Sequence, residues 1–159
     1  MRKIGFIGCG HMAQALIKGL KSNKSYELLG HDRNSKNIAW LKQEKIASYT
    51  LKEVCHEADI LMICVKPKDM YDLCSEMKTH IGKELKIVSV AAGITLENLK
   101  DALSGGKVYR AMPNIGAKHN LGITSIFSHE ELNEILAIFN YLGKARVVEE
   151  EDKINLHTS

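Results

Sequence analysis

A mostly parallel β-sheet with helices packed on both faces, a doubly wound α/β domain, is predicted by three features of the sequence. Apolar runs alternate with helical periodicity from one end of the chain to the other. Several of these runs, such as ILMICV at 60–65, are apolar without interruption, as strands covered on both faces require. A glycine-rich turn, Gly8-Cys9-Gly10-His11-Met12-Ala13, follows the first run directly and opens a helical pattern. Strand and helix in alternation imply right-handed crossovers, and ligands of such sheets bind beyond the carboxyl ends of the strands.

Strands are expected at 3–7, 26–30, 46–48, 60–65, 86–90, 107–111, 123–127 and 145–148. The helix after the first strand turns Ala15, Leu16 and Leu20 inward. A later one lays down Met70, Leu73, Cys74, Met77 and Ile81 at three-to-four spacing. Thr95 is placed to cap the helix carrying Leu96, Leu99 and Leu103. Ser128 and Glu131 have the S-x-x-E spacing of a capping box for the last helix, whose stripe is Leu132, Ile135, Leu136, Phe139 and Leu142, and Gly143 closes it. Pro67 and Pro113 each fall just past a strand, where a missing N–H ends the ladder. Beyond Val148 the sequence EEEDKINLHTS reads as a polar junction and the first turn of another helix, in which Ile154 and Leu156 complete no packing stripe.

Composition narrows the function classes. The 159 residues suit about one domain, and a hydrophobic share of 45% with 26% charged residues excludes disorder, collagen and disulfide-stapled miniproteins. A net charge of +3, from 22 basic and 19 acidic residues mixed along the chain, carries no nucleic-acid footprint, and no aromatic residue sits in a basic cluster to stack on bases. No apolar run approaches the roughly 18 residues that span a bilayer. Four cysteines without a CxxC pair fit a reducing compartment, so a soluble, cytoplasmic protein without nucleic-acid or membrane partners is expected. The seven histidines and four cysteines show no metal-ligand spacing.

The glycine turn is a GxGxxA form of the dinucleotide fingerprint. Gly8 permits the tight turn, Gly10 lets backbone approach a pyrophosphate, and Ala13 permits close helix-to-strand packing. The helix start, with Cys9, His11 and Met12, offers unpaired N–H groups to the anion. Cys9, at a helix N-terminus, is also a candidate for a reactive thiolate. At the end of the second strand stands His31-Asp32-Arg33-Asn34-Ser35-Lys36, where the adenosine ribose of a dinucleotide would lie. Asp32 suits a free 2′-hydroxyl and hence NAD(H), whereas Arg33, Asn34, Ser35 and Lys36 suit a 2′-phosphate. Four donors against one acceptor favour NADP(H), with NAD(H) possible. Val65, Lys66 and Pro67 leave the fourth strand on the same side, and Ala91, Ala92 and Gly93 leave the fifth, small enough for a nicotinamide ring to lie against backbone. Asn114, closing Arg110-Ala111-Met112-Pro113, is placed to fix an amide or a carboxylate.

Together the segments GCGHMAQALIKGL, ILMICVKPKDM, IVSVAAGIT and VYRAMPN resemble the N-terminal dinucleotide-binding domain of the pyrroline-5-carboxylate reductases, from Lys3 to about Asp152. The resemblance implies a Rossmann-type fold and hydride transfer from NAD(P)H to the imine of 1-pyrroline-5-carboxylate, giving L-proline. It places Gly8, Cys9, Gly10, His11 and Met12 on the pyrophosphate, and Asp32, Arg33 and Asn34 at the ribose. Val65, Lys66, Pro67, Ala91, Ala92, Gly93 and Asn114 would surround the nicotinamide. It further implies an NAD(P)-binding domain at 1–151, with 152–159 as a linker or the start of a truncated helical domain. The family's all-helical C-terminal dimerisation domain, which carries the substrate loop and makes the homodimer, is absent from these residues. No catalytic residue is therefore assigned within them, and the isolated chain is expected to be inactive or weakly active. The sequence departs from the family at Ile115-Gly116, where Thr-Pro is usual, and at Leu51, where Asn is often found. Two alternatives remain: a hydroxyacid-dehydrogenase-like or deazaflavin-linked reductase, against which the VKP and AAG segments argue, and a non-enzymatic dinucleotide sensor.

Overall fold

The structure is a computed structural model that describes residues 1–114 and 121–158, apart from the side chains of 156–158. Ile115 and Gly116, where the sequence departs from the resembled family, lie outside the described residues. The elements run β1 (Arg2–Ile7), α1 (His11–Leu20), β2 (Tyr26–His31), α2 (Ser35–Gln43), β3 (Ala47–Ser48), α3 (Leu51–Glu57), β4 (Ile60–Ile63), a 3-10 turn (Pro67–Asp69), α4 (Met70–Met77), β5 (Lys86–Ser89), α5 (Leu96–Leu103), β6 (Lys107–Met112), β7 (Ile123–Phe127), α6 (Asn133–Leu142), β8 (Lys144–Val147) and a terminal 3-10 segment (Glu151–Thr158).

The eight strands form one sheet in the order β3-β2-β1-β4-β5-β6-β7-β8. All neighbours are parallel except β6 and β7, which pair antiparallel from Arg110 with Phe127 to Met112 with Ser125. Strand order reverses between β1 and β4, and this reversal opens the crevice at which ligands of doubly wound sheets bind.

Two apolar layers flank the sheet. On one face Leu16, Ile17 and Leu20 of α1, Leu41 of α2, and Ile135, Ile138 and Phe139 of α6 cover Ile4, Phe6, Ile60, Met62, Val88 and Tyr109. On the other, Val54 and Cys55 of α3, the α4 stripe, and Leu96, Leu99 and Leu103 of α5 cover Ile7, Leu29, Leu61, Ile63, Ile87 and Val108. Consecutive strand residues thus serve opposite layers, which is why the runs are apolar throughout. Of the expected stripe, Met70, Leu73, Cys74 and Met77 are buried on α4, each large side chain contributing roughly 1.5–3 kcal/mol, whereas Ile81 lies beyond the helix end at Met77 and is half-buried against the same layer.

Local chemistry starts the helices. Asn34 accepts the Lys36 N–H before α2, Thr95 accepts the Asn98 N–H before α5, and Thr50 and Glu53 form a reciprocal capping box at α3. The box expected from Ser128 and Glu131 does not form. The Ser128 hydroxyl donates instead to the Val108 carbonyl at 2.6 Å and accepts the Glu130 N–H, and α6 begins only at Asn133, without a side-chain cap. Ser128 is used to tie the end of β7 to β6, and α6 relies on its buried stripe.

The terminal segment also departs from expectation. Ile154 is 1% exposed and belongs to the α3–α4–α5 layer, so this residue completes a packing surface after all. Glu151 anchors the same segment, accepting Arg110 Nη1 at 2.8 Å and the Leu96 N–H at 2.6 Å.

Candidate functional site

The residues singled out in the sequence converge because they sit at the carboxyl ends of adjacent strands β2, β1, β4, β5 and β6. Backbone hydrogen bonds continue across these exits: Gly8 N–H donates to the His31 carbonyl at 2.9 Å, Cys64 to Ile7 at 2.8 Å and Val90 to Ile63 at 3.1 Å. The loops therefore leave the sheet as a connected rim.

At the centre of the rim Gly8 has φ +85°, and a Cβ there would lie 3.0 Å from Val65 Cγ1 and 3.1 Å from the Cys64 carbonyl oxygen. The turn and the close approach of the β1 and β4 exits both need glycine. Gly10 differs, because a Cβ there would meet nothing within 4 Å. Its methyl position is open space in front of α1, which begins with no side-chain cap and no acidic residue in its first turn. Unpaired N–H groups and the positive helix end thus face an open cradle, as a pyrophosphate requires. Ala13, fully buried, brings α1 onto the sheet as its place in the fingerprint predicts.

A cavity of about 270 Å³ lies beside this cradle, lined by Ile7, Gly8, His31, Asp32, Arg33, Val65, Asp69, Asp72 and Leu73. Its apolar wall suits a base and its polar rim a ribose. Asp32 is committed to the protein's own loops. Its carboxylate accepts the Cys9 N–H at 2.6 Å, the Asn34 N–H at 2.8 Å and the Asn37 amide at 2.9 Å. Burial would raise its pKa, but these donors outweigh burial and hold it below the usual carboxylate value. Arg33 is exposed, and its Nη2 lies 2.8 and 3.0 Å from the two oxygens of Glu76 on α4.

Val65, half-buried, lines that cavity at the border of the two sides of the rim; beyond it Lys66 and Pro67 are exposed, and Ala91 is buried with Ala92 and Gly93 exposed. Gly93 has φ +79° and open space at its Cβ position. Asn114 is exposed at the exit of β6, its carbonyl accepting the Gly122 N–H at 2.7 Å. The sequence-derived residues thus divide between a group at the exits of β1 and β2, facing α4, and a group at the exits of β4, β5 and β6.

The thiolate role for Cys9 is corrected by the structure. Cys9 is fully buried with Sγ directed at the Phe6 and His31 carbonyls, and burial together with the Asp32 charge pushes its pKa up to about 12. Its N–H is given to Asp32, so Cys9 shapes the turn and donates nothing to the cradle. Sequence reasoning missed Asp69, Asp72 and Glu76, although their i, i+3, i+7 spacing beside the VKP exit was a readable signal. It also read Arg110 only as part of a motif; the side chain is buried and paired with Glu151. Among the described residues no helix is long and apolar enough to cross a membrane, and no three His, Cys, Asp or Glu side chains gather as metal ligands.

Fold and site together define a nicotinamide-dinucleotide-binding domain of the oxidoreductase class. Residues 3–93 match the family described as NADP oxidoreductase, coenzyme F420-dependent, and the chain belongs to that family. Similarity over a longer span is to pyrroline-5-carboxylate reductases. That of Escherichia coli K12 is 35% identical over 94% of this chain and 60% of its own length; that of Methanosarcina acetivorans is 31% identical over 94% and 59%. The solved pyrroline-5-carboxylate reductase of Coxiella burnetii superposes with a TM-score of 0.87 at 25% identity, covering 96% of this chain and 60% of the other. The Plasmodium falciparum pyrroline carboxylate reductase with NADP bound shares the fold, with a TM-score of 0.81 at 21% identity over 99% and 61%. The chain spans about 60% of the length of these relatives.

Proposed function

We propose that the chain is the cofactor-binding portion of a pyrroline-5-carboxylate reductase, acting in the cytoplasm, in which the imine of 1-pyrroline-5-carboxylate is reduced to give L-proline. The observation that carries this reading is a similarity that covers 94% of the chain and reaches 35% identity with a protein of that name. The open cradle at Gly10 supports it independently, since a dinucleotide fingerprint kept only for packing would not need that space.

When bound, NAD(P)H would supply the hydride that the carbon of the protonated imine accepts. The residues of this chain bind and orient. Gly10, His11 and Met12 hold the pyrophosphate by backbone and helix end, with Gly8 and Cys9 shaping the turn through their N–H groups to His31 and Asp32, and Arg33 with Asn34, Ser35 and Lys36 receives a 2′-phosphate, so that NADP(H) is preferred and NAD(H) accepted. Val65, Lys66, Pro67, Ala91, Ala92, Gly93 and Asn114 fix one face of the nicotinamide and leave the other for the substrate. Groups that touch the imine, exclude water from it and join two copies as a homodimer belong to the rest of the protein. Ile123, Tyr141 and Val147, 40%, 51% and 43% exposed on β7, α6 and β8, support a domain that meets further protein rather than a self-contained sensor.

Titration of the purified chain with NADPH and NADH, followed by reduced-nicotinamide fluorescence, tests the assignment. Both should bind, NADPH more tightly, with Arg33→Ala weakening NADPH alone. Absence of binding by either would contradict it, and proline formation at the rate of a full-length relative would contradict placing the substrate groups outside the chain.

A further inference from the structure

Building on the NADP(H) reading above, we propose that Glu76 is a specificity-determining residue, a carboxylate that competes with the cofactor's 2′-phosphate for Arg33 and so limits the preference for NADP(H) over NAD(H). Arg33 leaves β2 and Glu76 sits on α4, and their pairing joins two elements that border the same cavity.

The charges around that cavity give the competition its direction. Asp32, Asp69 and Asp72 line it, and Arg33 is the only cationic side chain among its lining residues. Asp69, Asp72 and Glu76 follow one another at i, i+3 and i+7, so the residue before α4 and two residues on it set a row of carboxylates beside the one guanidinium. A 2′-phosphate brings about −1.5 to −2 charges at neutral pH, and a 2′-hydroxyl brings none. The acidic row therefore opposes the 2′-phosphate of NADPH and meets no charge at the 2′-hydroxyl of NADH.

Glu76 is the adjustable member of this set. Asp32 is pinned by three donors and faces the Gly8–Gly10 turn, so it cannot withdraw without opening that turn. The Arg33 and Glu76 side chains are 76% and 50% exposed, and a pair so solvated separates at little cost. Glu76 holds Arg33 toward α4 until a phosphate takes its place. NADPH binding thus includes breaking one ion pair, and NADH binding does not.

The test compares wild-type chain with Glu76→Gln, Arg33→Ala and the double variant, using NADPH and NADH as probes and dissociation constants as readout. Glu76→Gln should tighten NADPH about two- to fivefold and change NADH by less than about 1.5-fold, the NADPH gain shrinking in added salt. In the Arg33→Ala background the gain should largely vanish, because the competition runs through that guanidinium. If Arg33→Ala weakens NADPH while Glu76→Gln leaves the NADPH-to-NADH ratio unchanged, the role of Glu76 is overturned and the cofactor assignment stands. If Arg33→Ala leaves NADPH binding unchanged, or neither cofactor binds wild type, the NADP(H) reading falls and the role of Glu76 falls with it.

Discussion

Removing the Asp32 carboxylate should destabilise the domain as well as disturb its cradle. The side chain accepts three hydrogen bonds, of which that from the Cys9 N–H at 2.6 Å matters most, because Cys9 is fully buried and water does not replace the lost acceptor. An orphaned buried donor costs about 1–3 kcal/mol, whereas the Asn34 N–H and the half-buried Asn37 amide recover most of their bonding from water. Asp32→Ala should therefore lose about 2–3 kcal/mol, and Asp32→Asn, which keeps one carbonyl acceptor, about 1 kcal/mol. Urea unfolding at constant m-value measures both. The pH dependence follows from the sign of the shift. The folded carboxyl titrates below its ordinary 3.8, so its contribution is complete above that pH and is lost as pH falls through the lower folded value. The gap between wild type and Asp32→Ala should narrow on acidification from pH near 7 to about 3. An Asp32→Ala midpoint equal to wild type, or a gap independent of pH, would refute the clamp.

The two fingerprint glycines should separate folding from binding. Gly10→Ala should stay within about 0.5 kcal/mol of wild-type stability, because its methyl meets nothing, yet weaken dinucleotide at least about tenfold by filling the cradle; Gly8→Ala should lose about 1–2 kcal/mol by calorimetry from its positive φ alone. Arg110→Ala should cost about 2–4 kcal/mol and expose the chain after Val148 to limited proteolysis, since it leaves Glu151 without its buried partner. Burial raises the thiols of Cys9 to about 12 and of Cys55 and Cys74 to about 11, so all three should resist an aromatic disulfide reagent near pH 8 and react once urea unfolds the chain.

Much of the architecture was legible because a buried parallel strand and an amphipathic helix each impose a period that a single sequence displays. Strands β1, β2, β5, β6 and β8 fall within a residue of expectation, and β7 coincides with it. The fourth run was read two residues too long. Cys64 and Val65 continue its apolar character after β4 has ended at Ile63, and Val65, packed against the core layer, also forms part of the cavity wall. The antiparallel sense of β7 was not legible, since a strand reads alike in either direction. Capping at Thr95 was local and held, whereas Ser128 found a partner on the neighbouring strand that local spacing does not encode. The same distinction holds in the site. The cradle follows from consecutive residues at one strand exit, but Asp32 on Cys9, Glu76 on Arg33 and Glu151 on Arg110 are contacts made across 23, 43 and 41 residues. They are fixed by how the layers pack, and no pattern along the chain announces them.

The location of the dinucleotide is the central claim, and amide chemical-shift mapping of the labelled chain during titration with NADPH tests it most directly. The structure offers a larger alternative, an open cavity of about 690 Å³ at the opposite, amino-terminal end of the strands, lined by Arg2, Asp59, Lys86 and Lys107 among others. Perturbations concentrated at Gly8, Gly10, His11, Arg33, Val65 and Gly93 are predicted. Perturbations concentrated around Arg2, Asp59, Lys86 and Lys107, with the glycine turn unmoved, would contradict the account.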